Sequence, residues 1–160
     1  MIRYLTIKDN IEIEIVAKKS KFIATLIKVN SKEQAEIEIQ NMKKKYFNAR
    51  HNCIAYRILE NSMISERFSD DGEPSGTAGS PMLNILQKNN LTNVLIVVTR
   101  YFGGILLGTG GLVRAYSDSL QKAIKKSDLV ELTIGVECKV KQTISSLKNL
   151  SIIVKILKFK

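Results

Sequence analysis

The 160-residue chain has few of the residues that form covalent cross-links or bind metals. Its two cysteines, Cys53 and Cys138, lie far apart and form no C-x-x-C motif. We therefore expect free thiols rather than a structural disulfide. His51 is the only histidine, so any mechanism that needs an imidazole depends on this one residue.

The sequence also has no long hydrophobic run. No apolar stretch approaches the roughly 20 residues of a membrane-spanning helix. The first ten residues, MIRYLTIKDN, lack the apolar region of a signal peptide. We therefore expect a cytoplasmic protein with no membrane partner, composed of one full domain and a small one.

Basic residues are in clear excess. Lysine and arginine total 25 against 15 aspartates and glutamates, which gives a formal net charge of +10. Such an excess favours polyanionic partners such as RNA, because cations neutralise phosphates and accelerate encounter. The alternative is that these lysines are simply solvated. They cluster at Lys43–Lys45 and in the C-terminal segment 139–160.

Hydrophobic periodicity predicts an α+β protein. Period-two alternation, clearest where isoleucines alternate with glutamates at 11–15, is typical of strands. We expect strands at 2–7, 11–16, 21–29, 51–59, 64–69 and 94–101. Ser31 and Gln34 form a capping box that predicts a helix to about Tyr46.

Two further helices are predicted, and a short tail follows them. Ser80 as N-cap and Pro81 as first helical residue predict a helix through Leu86. Another is expected from Gly110 to Lys126. Residues 128–160 then follow a β-α-β pattern that is too small to be stable alone.

The most informative segment is RYFGGILLGTGGLVRAY, Arg100–Tyr116, which holds five of the nine glycines. Because Thr109 stands where a Walker A motif needs lysine, it is not such a site. Because Val113 replaces the third glycine, it is not a dinucleotide fingerprint either. A strand, a glycine loop and a helix start can nevertheless bind an anion through backbone amides.

We therefore predict a phosphate at the helix start near Gly110, with a bidentate contact from Arg114. The alternative is a tight turn in which Arg114 pairs with Asp118. The predicted binding residues in this segment are Arg100, Tyr101, Gly103, Gly104, Gly108, Gly110, Gly111 and Arg114.

Two smaller groups of residues are candidates for catalysis or metal binding. His51 and Cys53 would face the same side of a strand and could form a nucleophile–base pair, with Asp70 or Asp71 orienting the imidazole. They could also form half of a metal site. Asp70, Asp71 and Glu73 offer oxygen ligands for magnesium or calcium without matching an EF-hand. The alternatives are a buried thiol beside a hydrogen-bonded histidine, and a solvated acidic turn. We assign no cofactor and no metal, and retain four catalytic candidates: His51, Cys53, Asp71 and Glu73.

Three separated motifs together resemble one known family. They are HNCIAY (51–56), DDGEPSGTAGSPML (70–83) and VVTRYFGGILLGTGGLVRAY (97–116). In this order they resemble the IMPACT/YigZ family, and the resemblance covers most of residues 15–126. It adds Ser75, Gly76 and Thr77 of the second motif to the predicted binding surface.

The resemblance implies a fold of two parts. The main domain, 1–127, would be a mixed β-sheet with helices packed on it. It would be similar to a ribosomal-protein domain and to domain four of elongation factor G. The segment 128–160 resembles part of a ferredoxin-like domain, either shortened or completed by a partner subunit.

The resemblance also implies a role in translation. Eukaryotic members look like translation regulators that bind the co-activator of a starvation-responsive initiation-factor kinase, a pathway that bacteria lack. No catalytic residues are established in the family to carry over. We therefore expect a non-enzymatic protein that contacts RNA, the ribosome or a translation-related protein. The alternatives are a hydrolase using His51, Cys53 and the acidic loop, and a protein-interaction module.

Overall fold

A computed structural model describes residues 4–132, which form an α+β fold. Three helices and seven strands occupy this range. The helices are α1 (Lys32–Lys45), α2 (Gly79–Lys88) and α3 (Gly108–Lys126). The strands are β1 (Leu5–Ile7), β2 (Ile11–Ala17), β3 (Ser20–Lys28), β4 (His51–Glu60), β5 (Met63–Ser69), β6 (Val94–Tyr101) and β7 (Leu129–Glu131).

Five strands form the main sheet in the order β2-β3-β6-β4-β5. Every neighbouring pair is antiparallel, so the predicted mixed sheet is wrong. The reason is the position of β6. Strands β3 and β4 point in the same direction, but β6 lies between them and pairs antiparallel with both.

Strand β6 is the central strand, as its uninterrupted apolar sequence predicts. Its alternate residues enter two separate cores. Ile96 and Val98 pack with residues of α2 and α3 on one face. Leu95 and Val97 pack with α1 on the other face. The sheet is therefore covered on both faces, which explains why β6 shows no polar alternation.

The capping of α1 confirms the prediction from Ser31 and Gln34. The Gln34 backbone N–H donates to Ser31 Oγ at 3.1 Å, and Gln34 Oε1 accepts from the Asn30 N–H at 2.8 Å. These contacts satisfy donors that the first helical turn leaves unpaired. The helix then buries Ala35, Ile39 and Met42 against the sheet.

The starts of the other two helices differ from the prediction. Helix α2 begins at Gly79, and Ser80 is not its N-cap. A remote side chain replaces the local cap, because Asp70 Oδ1 accepts from the Ala78 and Gly79 N–H groups at 3.0 and 2.8 Å. Helix α3 begins at Gly108, two residues before the predicted Gly110.

A second, two-stranded sheet joins β1 to β7. The chain therefore returns after α3 to pair beside its own N-terminal strand. The rest of the segment 128–160, with its predicted β-α-β pattern, lies outside the described residues, and both domain boundaries stay predictions. Within residues 4–132, no helix combines the length and apolarity that crossing a membrane requires.

Candidate functional site

All three motifs meet at one end of the main sheet. Four connections leave the sheet there: the β2–β3 turn at Lys18–Lys19, and segments 46–50, 70–78 and 102–107. We call this region, with the first turn of α3, the loop end. The antiparallel order brings the first residue of β4 opposite Arg100 near the end of β6. Residues distant in sequence therefore become neighbours.

The centre of the loop end is a buried ion pair between Arg100 and Glu73. Arg100 Nη1 donates to both carboxylate oxygens, at 2.8 and 3.1 Å. The two residues are only 7% and 8% exposed. The guanidinium lies between two aromatic rings, 5.5 Å from the centroid of Phe22 and 5.7 Å from that of Phe102. Glu73 therefore neutralises the Arg100 charge inside the fold.

Tyr116 and Cys53 extend this pair into a network. The Tyr116 hydroxyl donates to Glu73 Oε1 at 2.7 Å, and its oxygen lies 3.3 Å from Cys53 Sγ. The same thiol lies 2.9 Å from the Asp70 carbonyl. Burial is the main cause that raises the pKa of Cys53 from 9.0 to about 12. Burial also raises the pKa of Tyr116. Cys53 is therefore a protonated thiol near neutral pH, and only the thiolate is a strong nucleophile.

His51 shares a strand with Cys53 but makes a different contact. Its Nδ1 lies 3.0 Å from the Asp71 carbonyl oxygen. The hydrogen bonds of Cys53 go to Asp70 and Tyr116. In the described part of the chain, no hydrogen bond joins the imidazole to the thiol. A nucleophile–base pair needs that contact, so this arrangement disfavours the predicted one.

Asp70 organises the backbone of the second motif. Its Oδ2 accepts from the Gly76 N–H at 2.8 Å, while Oδ1 accepts from the N–H groups at the start of α2. A carboxylate at a helix N-terminus also interacts favourably with the helix dipole. Asp70 therefore uses both carboxylate oxygens to fix the loop over 70–79.

The other two carboxylates also have specific partners. Asp71 Oδ2 accepts from the Asn52 N–H at 2.7 Å, and Asp71 Oδ1 accepts from Lys43 Nζ at 3.0 Å. Glu73 binds Arg100 and Tyr116, as described above. Within residues 4–132, no cluster of three His, Cys, Asp or Glu side chains could hold a metal ion.

The glycine loop approaches the β2–β3 turn more closely than a side chain would allow. A Cβ on Gly103 would lie 2.0 Å from the carbonyl of Lys19. The Gly103 N–H donates to Ser20 Oγ at 3.2 Å, which is also 3.5 Å from Arg100 Nη2. Gly103 is therefore required by packing against the neighbouring turn.

The start of α3 is exposed and has no side-chain cap. Gly108 has φ +75°, which favours glycine, and its N-cap neighbour Leu107 makes no capping hydrogen bond. Gly110 is exposed, and a Cβ there would contact nothing within 4 Å. Neither the turn nor packing requires glycine at 110. The bare first turn matches the predicted anion site in form.

Arg114 stands in contrast to Arg100. It is exposed on α3, and no ion pair within residues 4–132 includes it. The predicted alternative pair with Asp118 does not form among these residues. Both side chains instead line a groove of about 420 Å³ between α3 and β2, together with Lys18 and Lys122.

Further cations surround the loop end without partners. They come from three segments, namely the β2–β3 turn, the end of α1 and the segment 46–50, and are exposed in each. None of them forms an ion pair in the described part of the chain. With Arg114 they constitute what we call the rim: Lys18, Lys19, Lys44, Arg50 and Arg114.

Exposed apolar side chains are interspersed with the rim. Half of the large apolar side chains that are exposed in residues 4–132 lie at the loop end. Phe47 is 84% exposed and Phe102 is 54% exposed. The others are Val16, Ile105 and Leu106. Sequence reasoning missed Phe47, although two consecutive aromatic residues, Tyr46 and Phe47, directly after the Lys43–Lys45 cluster could have indicated it.

The remaining predicted residues divide between surface and interior. Ser75 and Gly76 are exposed, whereas Thr77 is buried and its hydroxyl donates to the Pro74 carbonyl at 2.6 Å. Tyr101 is half-buried, and its hydroxyl donates to Asn48 Oδ1 at 2.7 Å. Sequence reasoning missed Ser20 and the contact of the Tyr116 hydroxyl with Glu73, which depend on tertiary structure. The burial of Tyr116 itself follows from its predicted inward position on α3.

Comparison with known proteins yields a consistent set of relatives. The family model of the Impact N-terminal domain matches residues 18–124. IMPACT family member YvyE of Bacillus subtilis is 51% identical over 128 residues, which cover 80% of this chain. IMPACT family member YigZ of Escherichia coli is 40% identical over 127 residues, which cover 75% of this chain.

A solved structure agrees with the fold. The crystal structure of a hypothetical protein, 36% identical, superposes with a TM-score of 0.77 over 83% of this chain and 65% of the other. The chain spans 58% of the length of YvyE and 62% of that of YigZ. The family match covers all three motifs of the loop end.

Proposed function

The chain belongs to the IMPACT family, and on that premise we propose that it is a non-enzymatic binding protein. Its rim engages RNA, in free form or within the ribosome, and this contact influences translation. The single observation that carries the proposal is the gathering of exposed, unpaired cations from separate segments at one end of the sheet.

The placement of the positive charges supports RNA binding more strongly than the net charge does. The buried cation, Arg100, is neutralised by Glu73, so it adds no net field at the surface. Lys43 and Lys45 are paired with Asp71 and Glu12. Within residues 4–132 the rim residues have no such partners, and unpaired cations are the groups that phosphates neutralise with release of counterions.

The shape of the glycine loop is consistent with a phosphate contact. Exposed amides at the first turn of α3 can donate to an anion, and the helix dipole favours negative charge there. Arg114 lies within the second turn of the same helix. Lys18 lies across the shared groove. A phosphate at this point would meet two cations and the helix start together.

Catalysis at Cys53 is the weaker reading. The thiol is fully buried and its pKa is raised to about 12, chiefly by burial. His51 and Cys53 have separate hydrogen-bonding partners. A hydrolase would need a deprotonated nucleophile and a base in contact with it. The same groups are well suited to hold the loop end together.

The proposal is tested with two variants that remove the same number of positive charges from different places on the protein. One variant carries Lys18→Gln, Lys19→Gln and Arg114→Gln in the rim. The control carries Lys88→Gln, Lys125→Gln and Lys126→Gln, which are exposed at the opposite end of the sheet. Each lowers the net charge from +10 by 3, to +7.

We expect the rim variant to bind RNA more weakly and with a shallower salt dependence than the control. Each lost phosphate contact should reduce the slope of log K against log salt by about 0.7 for a single strand. Equal binding by the two variants would contradict the proposal, since only net charge would then matter. A partner captured equally well after nuclease treatment would favour a protein-interaction module instead.

A further inference from the structure

We infer that the rim binds single-stranded RNA whose bases stack on exposed aromatic rings, chiefly Phe47 and Phe102. This inference rests on the proposed RNA-binding function and specifies the ligand. Aromatic rings bind unpaired bases because every base offers a π-face, whereas a duplex hides its base faces in the stack. The rings would therefore stack on the bases of the strand, and the cations would contact its phosphates.

The two rings belong to neighbouring segments of the loop end. Tyr101 at the end of β6 donates its hydroxyl to Asn48 Oδ1 at 2.7 Å. Phe47 directly precedes Asn48, and Phe102 directly follows Tyr101. One hydrogen bond thus joins the segments that carry the two rings. This contact holds the two segments together and involves neither ring.

Packing within the fold leaves most of the surface of both rings exposed. Phe47 is 84% exposed, and only Tyr46 beside it packs against the α1 core. One face of the Phe102 ring contacts the Arg100 guanidinium, and more than half of the Phe102 surface is exposed. Isolated exposed apolar residues are ordinary, but an apolar cluster with polar residues around it marks a binding surface.

The cations near Phe47 favour a nucleic acid over a protein. Lys44 and Arg50 flank Phe47 closely in sequence, and both are exposed and unpaired within residues 4–132. Lysine is depleted from the centres of protein interfaces, where its desolvation is costly. Alternation of cations with aromatic rings is instead typical of surfaces that hold a phosphate backbone and stack its bases.

Three fluorescently labelled probes separate the two contributions. They are a single-stranded RNA of about 12 nucleotides, within the range of known single-strand sites, the same sequence as a duplex, and an abasic version of the strand. All three carry phosphates, but only the first offers free base faces. Affinity is measured by fluorescence anisotropy at low and moderate salt.

The described chain offers clean variants for the same assay. Phe47→Leu removes the aromatic face but retains an apolar side chain, and Phe47→Tyr restores the face. Met63→Ala is the control, because Met63 is 72% exposed in the β4–β5 hairpin at the opposite end. Since these side chains are exposed, none of the changes should alter the melting temperature measurably.

We expect the intact protein to prefer the single strand over both other probes. Phe47→Leu should weaken single-strand binding about fivefold or more, the lower bound for one base–aromatic stack. Phe47→Tyr should restore it, and Met63→Ala should have no effect. Duplex and abasic binding should be unchanged in every one of these variants.

Two outcomes would overturn the inference in distinguishable ways. Equal affinity for all three probes, with weaker binding by the rim variant, would leave a phosphate-binding protein without stacking. That result removes this inference and preserves the proposed function. Absence of binding to every probe at low salt would remove both.

Discussion

Two arginines bracket the glycine loop, and they differ in almost every physical respect. Arg100 is 7% exposed, binds Glu73 through both carboxylate oxygens, and lies between two aromatic rings. Arg114 is exposed on α3 and has no ion pair within residues 4–132. The same motif thus supplies one arginine to the interior and one to the surface.

The difference shows that a motif can combine two tasks. Arg100, Glu73, Tyr116 and Cys53 form a buried network that joins β6, the segment 70–78, α3 and β4. Arg114 belongs to the rim that this network supports. We therefore expect changes in the network to alter folding first, and changes in the rim to alter binding alone.

The largest expected effect comes from removing one partner of the buried pair. Glu73→Ala leaves the Arg100 guanidinium buried without a carboxylate. Breaking such a pair typically lowers the free energy of unfolding by about 3–5 kcal/mol. Urea denaturation followed by circular dichroism measures the change. Glu14→Ala, at an exposed surface pair with Lys21, is the control and should cost under about 1 kcal/mol. A similar small loss in both would deny the network its structural role.

The second test compares two glycines of the same loop. Gly103→Ala would place a Cβ 2.0 Å from the Lys19 carbonyl, whereas Gly110→Ala meets nothing within 4 Å. We expect Gly103→Ala to destabilise by about 1–3 kcal/mol or more, as overpacking does. Gly110→Ala should stabilise by about 0.5–1 kcal/mol, because alanine favours the helix. Thermal unfolding of both variants measures the two changes in stability. A change of the same sign in both variants would contradict this prediction.

Tyr116→Phe should have an intermediate effect. It removes the hydroxyl that donates to Glu73 and lies beside Cys53, while Arg100 still binds the carboxylate. Loss of one buried hydrogen bond that involves a charged group costs about 1.5–3 kcal/mol. Urea denaturation should show a smaller loss than for Glu73→Ala. A larger loss would mean that the phenol, rather than the ion pair, dominates the network.

The pH dependence of stability tests the buried thiol. The folded pKa of Cys53 is about 12, above its ordinary value of 9.0, mainly because of burial. Below about pH 9 the Cys53 thiol keeps its proton in both the folded and the unfolded state. Its contribution to the free energy of unfolding is therefore fully present there. Above that pH the unfolded state loses the proton first, and stability falls as the pH rises towards 12. By pH 10 we expect a loss of about 1 kcal/mol relative to Cys53→Ala. Parallel pH profiles would contradict this.

The smallest effect on stability is expected for Arg114→Gln. An exposed side chain without partners should change the free energy of unfolding by no more than about 0.5 kcal/mol. The RNA salt slope should nevertheless fall by about 0.7, the contribution of one phosphate contact to a single strand. An unfolding change comparable to that of Glu73→Ala would erase the distinction between the two arginines.

Much of the fold follows from local pattern. Period-two alternation located β2, and the doubly apolar sequence of β6 identified the central strand. The Ser31–Gln34 cap located α1 because both contacts are made within one turn. The order of the strands in the sheet and their relative directions could not be predicted from local pattern. Both depend on which strands, distant in sequence, pair with each other. The cap of α2 was missed for the same reason, because Asp70 reaches it from outside the helix.

The candidate site could be located from its motifs but not divided into buried and exposed parts. Arg100 and Arg114 look alike in sequence, and only their neighbours distinguish them. Glu73 was considered as a metal ligand and instead binds an arginine 27 residues away. Phe47 carries no motif, and its exposure became informative only beside Asn48, Tyr101 and the unpaired cations.

The most direct test is an NMR titration of the labelled protein with single-stranded RNA. Residues of the rim and residues near the two rings should show chemical-shift changes in the same titration. We predict amide shifts at Lys18–Lys19, at 44–50 and at 102–111. The amides of Cys53, Glu73 and Tyr116 should shift little, because the network stays folded during binding. Shifts confined to the β4–β5 hairpin and the C-terminal ends of α2 and α3, with the loop end unchanged, would contradict the account.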